Sequence, residues 1–312
     1  MVGSGQHETR HLPAHYGRPI EPSRLAQLAA RAEEVGLDSV WVTDHVVVPR
    51  DVPLIYRDDM LDPLAVLPWL AGVTERIALG TSVIVLPYRS PLPVAKLLAS
   101  VDVLSGGRLI VGVAVGWLEG EFAALGVPFR ERGRRTDEAI ELFRAAWTQE
   151  YPEIKTANHN LSGGVKVSPM PLQKPRPPIL VGGASDAALR RAARLGDGWH
   201  ASGMAPAAFR ASALAVGNHW KDAGREGTPE LTLRIPLLLD GIHRPAVDPA
   251  LLGTRHVVRG PIAAVAKELR QYQTAGCSHV ALELSYSTYP AIFDTIDIIA
   301  EEIRPLLDQR ER

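Results

Sequence analysis

The chain has 312 residues, a formal net charge of -1 and one cysteine, Cys277. Its length suits one (β/α)8 barrel with insertions, for which ~200 to more than 400 residues is usual. The near-zero net charge gives no electrostatic attraction to nucleic acid or to an acidic membrane. A single cysteine excludes a disulfide within the chain. No run approaches the ~18 apolar residues of a membrane helix, and residues 1–20 have no signal-peptide core, so the sequence predicts a cytoplasmic protein.

From residue 22 onward, helices and strands are predicted to alternate. The first helix begins near Pro22, shows apolar residues at helical spacing on one face and ends at Gly36. The predicted strands are, in chain order, Ser39–Thr43, Ile77–Val85, Leu109–Val115, Ile179–Val181, Gly198–Ala201, Leu231–Leu239 and His279–Leu284. The later predicted helices are Pro63–Val73, Pro93–Leu104, Arg134–Trp147, Asp186–Leu195, Pro206–Ala223, Pro261–Ala275 and Pro290–Leu307. Regular alternation of this kind is typical of a parallel sheet covered by helices.

Polar residues or glycines stand at the carboxyl ends of several predicted strands. These pairs are Asp44-His45, Thr81-Ser82, Gly116-Trp117, Gly182-Gly183 and Trp199-His200. A buried strand has no reason to end in an acid and a histidine unless these side chains face a pocket. Because a (β/α)8 barrel builds its active site at the carboxyl ends of its strands, the pattern predicts an α/β protein of this class, the TIM barrel. We assign residues 1–312 to a single barrel domain.

The first strand of such a barrel has little support in the sequence. Residues 1–20 carry several glycines and prolines and no apolar run. Either Gln6–Leu12 takes this position, or the true start of the protein lies upstream of Met1. A missing first strand would leave unpaired edges on Ser39–Thr43 and His279–Leu284, and such edges invite aggregation. We therefore predict that Gln6–Leu12 pairs between them.

Residues 148–177 interrupt the alternation. They contain five prolines and the neighbouring glycines Gly163 and Gly164, which is typical of a segment that runs over the surface. Their length exceeds that of usual connections in a barrel. We therefore predict an insertion here that acts as a lid.

Two motifs match known sites by spelling but lack the required context. His7-Glu8-Thr9-Arg10-His11 matches the zinc protease pattern H-E-x-x-H, which needs a stable helix, whereas Pro13 follows closely and no apolar helical face supports it. Gly112–Gly116 lacks the G-x-G-x-x-G spacing of a Rossmann dinucleotide site. The sequence therefore predicts neither a metal site nor a Rossmann NAD site.

Three other features point to a ligand site. Gly182–Ser185 joins a predicted strand to a helix N-terminus, where backbone N–H groups and the helix dipole favour a phosphate. His45 follows Asp44 at the functional face, and a histidine can hold or exchange a proton near neutral pH. The arginines at positions 130, 132, 134 and 135 form a basic cluster. This cluster is either a solvated helix start or a binding site for a phosphate or a carboxylated tail.

Five phrases occur in register over roughly residues 20 to 305. They are Gly36–His45, Leu79–Val83, Gly106–Leu109 leading into Gly116-Trp117, Arg132–Arg134 before Asp137-Glu138, and Gln173–Pro175 with Pro177–Gly183. Together these phrases resemble the bacterial luciferase-like flavin and deazaflavin oxidoreductases. Each phrase alone is modest, but five in order are specific. The details look most like the branch that uses the deazaflavin coenzyme F-420.

The resemblance implies an oxidoreductase, commonly a homodimer, that transfers a hydride between coenzyme F-420 and a small organic substrate. His45 is then the catalytic residue, as proton donor or orienter beside the reacting ring. The implied cofactor-binding residues are Asp44 at the ring system, Ser82 and Val83 at a non-proline cis peptide, Gly116, Trp117 and Gly120 along the ring, and Gly182, Gly183 and Ser185 at the phosphate. Neither a metal nor a nucleic-acid or membrane partner is implied.

Two alternative functions stay open. An FMN-dependent luciferase-like monooxygenase that uses oxygen would employ the same barrel, and a non-catalytic flavin-binding protein would keep the slot without the chemistry. The chain also departs from some F-420 dehydrogenases, which place a glutamate after the fourth strand. This chain has Trp117 there, with Glu119 and Glu121 further on. Glucose-6-phosphate-type chemistry is therefore not expected.

Overall fold

A curled parallel sheet forms the centre of the protein. The computed structural model describes residues 22–49, 60–242, 255–284 and 289–308. Within these ranges, nine strands belong to one parallel sheet and two form a separate antiparallel hairpin. The strands are β1 (Ser39–Val42), β2 (Ala78–Thr81), β3 (Ile84–Val85), β4 (Leu109–Ala114), β5 (Glu153–Lys155), β6 (Asn160–Ser162), β7 (Ile179–Gly182), β8 (Gly198–Ser202), β9 (Glu230–Leu239), β10 (Val258–Gly260) and β11 (His279–Glu283).

Helices connect the strands and surround the sheet. They are α1 (Pro22–Glu34), α2 (Pro63–Val73), α3 (Pro91–Leu104), α4 (Glu119–Ala124), α5 (Arg132–Thr148), α6 (Asp186–Leu195), α7 (Pro206–Asp222), α8 (Ile262–Thr274), α9 (Tyr289–Ile298) and α10 (Arg304–Asp308). A π-helical turn, Ile299–Ile303, joins α9 to α10. None of these described helices is both long and apolar enough to span a bilayer.

The strand order gives the sheet its barrel form. Strands β1, β2, β4, β7, β8 and β9 pair side by side in that order, and β11 pairs with β9. The sheet curls so that its two ends meet. The Ser39 Oγ atom of β1 lies 2.6 Å from the His279 Nε2 atom of β11. The predicted TIM-barrel class is confirmed. Since all of these strands are parallel, their carboxyl ends lie at one face of the barrel.

Side chains of the central strands form the core with the helices outside them. In β4, Leu109, Val111 and Val113 point to one face and have no exposed area, whereas Ile110 and Ala114 on the other face are half-buried. Trp147 of α5 belongs to the same apolar cluster, and its indole N–H donates to the Ala95 carbonyl oxygen at 3.0 Å. The buried indole is therefore satisfied as well as packed.

Two helices, α2 and α6, have the predicted bounds, and a polar residue caps the N-terminus of each. The Asp62 carboxylate accepts from the Leu64 N–H at the start of α2, and Ser185 caps α6 through the Ala188 N–H. One predicted strand differs. Residues 77–85 form two strands, β2 and β3, which are separated at Ser82–Val83, where the peptide bond is cis.

The long segment 148–177 contacts helices α3 and α5. The segment begins with the hairpin β5–β6. Further along, Gln173 attaches it to α3, since the Gln173 Nε2 atom lies 2.6 Å from Asp102 Oδ1. Asn158 Nδ2 donates to Glu138 Oε2 of α5 at 2.7 Å. A connection from a helix to the next strand reaches the amino ends of the strands, opposite the face where the predicted site residues lie. The contacts of this segment therefore do not support a lid.

Two predictions concern residues outside the described ranges. Gln6–Leu12, expected as the first strand, and the H-E-x-x-H match at His7–His11 both lie there. Pairing of Gln6–Leu12 between β1 and β11 remains a prediction.

Candidate active site

Contacts among four neighbouring strands bring the predicted site residues together. The Asp44 carboxylate, just after β1, accepts from the Val85 N–H of β3 at 3.0 Å. Gly116, just after β4, lies against Val85, since a Cβ atom added to Gly116 would stand 2.7 Å from Val85 Cγ1. Val83 lies beside Gly182 of β7, where an added Cβ atom would be 3.4 Å from Val83 Cγ1. The predicted residues therefore share the face formed by the carboxyl ends of the strands.

Asp44 forms a buried ion pair. The Arg89 guanidinium contacts both carboxylate oxygens, at 2.7 Å to Oδ2 and 2.9 Å to Oδ1, and the Asp44 side chain has no exposed area. Arg89 also lies 2.7 Å from Asp62 Oδ2. Two-point contacts of this kind are among the strong charge-assisted hydrogen bonds. The Asp44 carboxylate thus holds the loop after β1, and the contact with the cofactor ring that the resemblance implied stays a prediction.

His45 is paired with Glu121, a glutamate of helix α4. Its Nδ1 atom lies 3.0 Å from Glu121 Oε2, and the side chains are 9% and 0% exposed. The Tyr88 hydroxyl donates to the same oxygen at 2.7 Å. Burial alone raises the pKa of the Glu121 carboxyl, but hydrogen bonds from His45, Tyr88 and the Val46 amide together lower it below its ordinary value. Glu121 is therefore a carboxylate beside the predicted catalytic histidine.

The cis peptide that the resemblance implied is present at Ser82–Val83. The Ser82 Oγ atom lies 2.8 Å from His200 Nε2, and His200 Nδ1 lies 2.7 Å from Thr232 Oγ1. Both ring nitrogens of this histidine therefore contact hydroxyls, which can donate or accept. This chain of hydrogen bonds ties the cis peptide to the middle of β8 and to the amino-terminal part of β9.

His200 is an uncharged support for the site. It is 2% exposed, and burial, with smaller contributions from the charges of Arg234 and His279, lowers its pKa to about 3. The Trp41 ring stacks on it, with centroids 5.1 Å apart and planes 14° apart. A neutral imidazole held in this way braces Ser82 and does not titrate near neutral pH.

Arg234 holds the other side of the cis peptide. Its Nη1 atom donates to the Ser82 carbonyl oxygen at 3.1 Å, and its Nε atom lies 2.9 Å from Glu283 Oε2. Glu283 also accepts from Arg255 at 2.5 Å. A cavity of about 730 Å³ is lined in part by Trp41, Ser82, Arg234 and Glu283. Charged groups and an aromatic ring thus face the interior of the barrel beside Ser82.

Gly116 and Gly120 are required by packing. Gly116 has a φ of 78°, and an added Cβ atom would lie 2.9 Å from Phe122. Gly120 belongs to α4, and an added Cβ atom would lie 2.8 Å from Pro49. Both glycines therefore let α4 approach β3 and the loop after β1. Trp117 is 54% exposed, and its contact with a cofactor ring stays a prediction.

The glycine turn after β7 has the geometry that a phosphate site needs. Gly183 has a φ of 115°, and an added Cβ atom would lie 2.9 Å from Ala188. Its carbonyl oxygen accepts from the Trp199 indole at 2.7 Å, which fixes the turn. Ser185 caps α6 by accepting from the Ala188 N–H at 3.3 Å, so its hydroxyl hydrogen stays available. Gly183 and Ser185 are exposed at the helix N-terminus, where an anion is favoured.

The arginine cluster is engaged within the protein. Arg134 and Arg135 both contact Glu131 Oε2, at 3.0 Å and 2.9 Å. The Arg132 guanidinium lies 3.9 Å above the Phe129 ring. Of the two interpretations of this cluster, the structure favours the helix start.

Sequence reasoning missed several residues of the site. They are Tyr88, Arg89, Glu121 and Arg234. His200 was included in the pattern of polar strand ends, as Trp199-His200, but was given no role in the site. Glu121 was noted only as an acid beyond Trp117, because its contact with His45 joins residues that are distant in sequence.

These features define a class of protein: a (β/α)8 barrel with a buried His45–Glu121 pair and a glycine turn before a helix at the carboxyl ends of its strands. The family model described as luciferase-like monooxygenase matches residues 4–278, and the chain belongs to this family.

Two curated relatives illustrate the range of the family. The chain is 35% identical over 228 residues to an F-420-dependent glucose-6-phosphate dehydrogenase of Kineococcus radiotolerans, covering 70% of this chain and 65% of the relative. It is 34% identical over 149 residues to an FMNH2-dependent dimethylsulfone monooxygenase of Pseudomonas putida, covering 47% and 40%. The chain thus spans less than two thirds of the length of each of these two relatives.

Solved structures share the fold. The monooxygenase RslO1 from Streptomyces bottropensis has a TM-score of 0.81 at 23% identity, covering 94% of this chain and 97% of that one. An F-420-dependent secondary alcohol dehydrogenase, solved with an F-420–acetone adduct, has a TM-score of 0.78 at 20% identity, covering 93% and 96%. At these identities the likeness concerns the fold alone.

Proposed function

We propose that this protein is an oxidoreductase that transfers a hydride between coenzyme F-420 and a small organic substrate. The observation that carries the proposal is the position of the His45–Glu121 pair, the Ser82–Val83 peptide and the Gly182–Ser185 turn at one face of the barrel. The F-420-dependent relative at 35% identity supports the choice of cofactor.

The residues of this face fit a flat ring system with a phosphate. Gly183 leaves its backbone open at a φ that side chains rarely adopt, and α6 offers its first N–H groups to an anion. Gly182 is buried beside Val83 and has no side chain. The surface between the cis peptide and the turn is therefore lined by backbone and small groups. Such a surface allows a planar ligand to approach closely.

Each residue has a distinct task in this proposal. The deazaflavin, when bound, carries the hydride. His45 holds or takes up the proton that accompanies the hydride at the substrate oxygen or carbon. The Asp44–Arg89 pair keeps the loop of His45 in place, and His200 with Arg234 fixes the Ser82 peptide from two sides.

One alternative is favoured by a specific observation. The FMNH2-dependent relative at 34% identity supports an FMN-dependent monooxygenase on the same barrel. A phosphate turn serves both cofactors, since each carries a phosphate. The arginine cluster adds no support for a carboxylated tail, because Arg134 and Arg135 already pair with Glu131. A non-catalytic flavin-binding protein is the third candidate, and it leaves the buried His45–Glu121 pair without a purpose.

Fluorescence titration of the purified protein with F-420 and with FMN tests the proposal. We expect saturable binding of F-420 that is at least about tenfold tighter than that of FMN, a difference of about 1.4 kcal/mol. Micromolar or tighter binding of FMN without detectable F-420 binding would reverse the order of the two candidates.

A further inference from the structure

We propose that Glu121 is a positioning residue that fixes the hydrogen of neutral His45 on Nδ1, so that Nε2 is the atom that exchanges the proton. This inference deepens the proposed function and rests on it for its purpose, but its geometry is independent of the cofactor.

Glu121 is surrounded by donors. Its Oε2 atom lies 3.0 Å from His45 Nδ1 and 2.7 Å from the Tyr88 hydroxyl. Its Oε1 atom accepts from the backbone N–H groups of Val46 at 2.5 Å and of Val47 at 3.1 Å. The side chain has no exposed area. One carboxylate thus holds both the ring of His45 and the backbone that follows it.

The chemistry of these partners determines where the hydrogens lie. An ionised carboxylate only accepts hydrogen bonds. Backbone amides only donate, and burial followed by the hydrogen bond to Glu121 raises the pKa of Tyr88, so its hydroxyl keeps its proton and donates. The His45 Nδ1 atom must therefore carry a hydrogen to bind the same oxygen. In neutral His45 this leaves the lone pair on Nε2.

The same arrangement serves proton transfer in either direction. With the lone pair on Nε2, neutral His45 is a base; once protonated, its imidazolium stands beside the Glu121 carboxylate and is stabilised by it. An acid that orients a histidine in this manner acts through the histidine and has no contact with the reacting atoms. Glu121 is therefore distinct from a glutamate acid that would protonate a substrate directly.

The fold explains how Glu121 reaches His45. Gly116 turns the chain after β4 at a φ of 78°, and Gly120 allows α4 to lie within close contact of Pro49. Phe122, the next residue after Glu121, is fully buried and packs edge-on against the Tyr88 ring with centroids 4.9 Å apart. The carboxylate is thus held between α4 and the turn that carries Tyr88.

Among the described residues, charged and titratable groups near His45 come from three elements. Glu121 lies on α4, Tyr88 follows β3, and Asp44 with its partner Arg89 holds the loop of His45 itself. Glu121 contacts the ring directly at Nδ1, whereas the charges of Asp44 and Arg89 offset each other.

Nitrogen NMR of protein labelled with ¹⁵N-histidine tests this inference directly. Two-bond and three-bond correlations from the ring hydrogens identify which nitrogen carries the proton, and His45→Gln assigns the signal. In the unaltered protein we expect neutral His45 to have its hydrogen on Nδ1. A hydrogen on Nε2 would overturn the inference, and the tautomer itself is read from the unaltered protein.

A matched pair of variants completes the test. Glu121→Gln keeps the shape of the side chain, and its amide oxygen can still accept from the Val46 and Val47 N–H groups. Its NH2 group then faces the His45 ring, and this donor requires an acceptor at Nδ1. We expect the dominant tautomer of His45 to change to the Nε2 form in this variant. Glu119→Gln, on the exposed side of α4, should leave the tautomer unchanged. An unchanged tautomer in Glu121→Gln, or an equal change in both variants, would contradict the proposal.

The two proposals fail in different experiments. Loss of F-420 binding in the titration would remove the proposed cofactor but leave the tautomer of His45 as described. An Nε2 tautomer in the unaltered protein would remove the role of Glu121 while F-420 binding persists.

Discussion

Charged side chains that are buried at the strand ends depend on their partners. Asp44 has no exposed side-chain area and receives two hydrogen bonds from Arg89. Removing one member of a buried ion pair leaves the other charge without compensation, which costs far more than the pair contributes relative to apolar residues. The stability of the loop that carries His45 therefore depends on Arg89.

Replacement of Arg89 by methionine is expected to lower the free energy of unfolding by about 3–5 kcal/mol, because it leaves the Asp44 carboxylate buried and unpaired. Urea denaturation followed by circular dichroism measures this change. Arg210→Met, at an exposed position on α7, is the control and should change the free energy by less than about 0.5 kcal/mol. Equal losses in both variants would show that the Asp44–Arg89 contact contributes little.

His200 makes the stability depend on pH. Its pKa is about 3 in the folded protein, against 6.5 ordinarily. The unfolded chain therefore takes up a proton first as the pH falls, and stability is lost between pH 6.5 and about 3, at up to about 1.4 kcal/mol per pH unit. His200→Gln cannot take up this proton and should show a shallower decline between pH 7 and pH 5 in urea unfolding. The same slope in both proteins would mean that His200 titrates normally.

The residue scale is also where sequence reasoning was most incomplete. His45 and Ser82 were predicted because each follows an apolar run at a strand end. Glu121 could not be predicted in the same way, since its partner lies 76 positions away and its approach depends on the turn at Gly116. Asp44 was noted because it follows a strand, but its ion pair with Arg89, 45 positions away, could not be predicted from that pattern.

At the scale of elements, the turn between β7 and α6 carries the predicted phosphate contact. Gly183→Ala adds a Cβ atom at a φ of 115° and 2.9 Å from Ala188, which distorts the N–H groups at the start of α6. We expect the affinity for F-420 to fall by at least about tenfold, or about 1.4 kcal/mol, while circular dichroism shows an intact fold.

Gly72→Ala is the matched control for this element. It lies in α2 with nothing within 4 Å of an added Cβ atom, and alanine is favoured over glycine in a helix. Its affinity for F-420 should equal that of the unaltered protein. An unchanged affinity for F-420 in Gly183→Ala would indicate that the phosphate binds elsewhere at the carboxyl ends of the strands.

Elements were predicted well where local chemistry defines their ends. Asp62 and Ser185 cap α2 and α6, and both helices have the predicted bounds. Short elements were missed. Helix α4 has six residues and strands β5 and β6 have three each, so none of them shows a full period of apolar residues.

At the scale of the whole molecule, the alternation of strands and helices was sufficient to predict the barrel. The same alternation also determines where each connecting loop lies. Loops that follow strands lie at the carboxyl ends of the strands, where the site is, and loops that follow helices lie at the opposite face. Applied to residues 148–177, which follow α5, this rule argues against a lid and agrees with the Asn158–Glu138 contact. The pairing of Gln6–Leu12 and a homodimer remain predictions.

The central claim is that this barrel holds a deazaflavin at the carboxyl ends of its strands with His45 at the reacting edge. A crystal structure of the protein in complex with F-420 tests it most directly. We expect the phosphate on the N–H groups of Gly183 to Ser185, the ring against the Ser82–Val83 peptide, and His45 Nε2 within hydrogen-bond reach of the substrate side of the ring. A phosphate bound at the Arg130–Arg135 stretch, or a ring bound away from His45, would contradict the account.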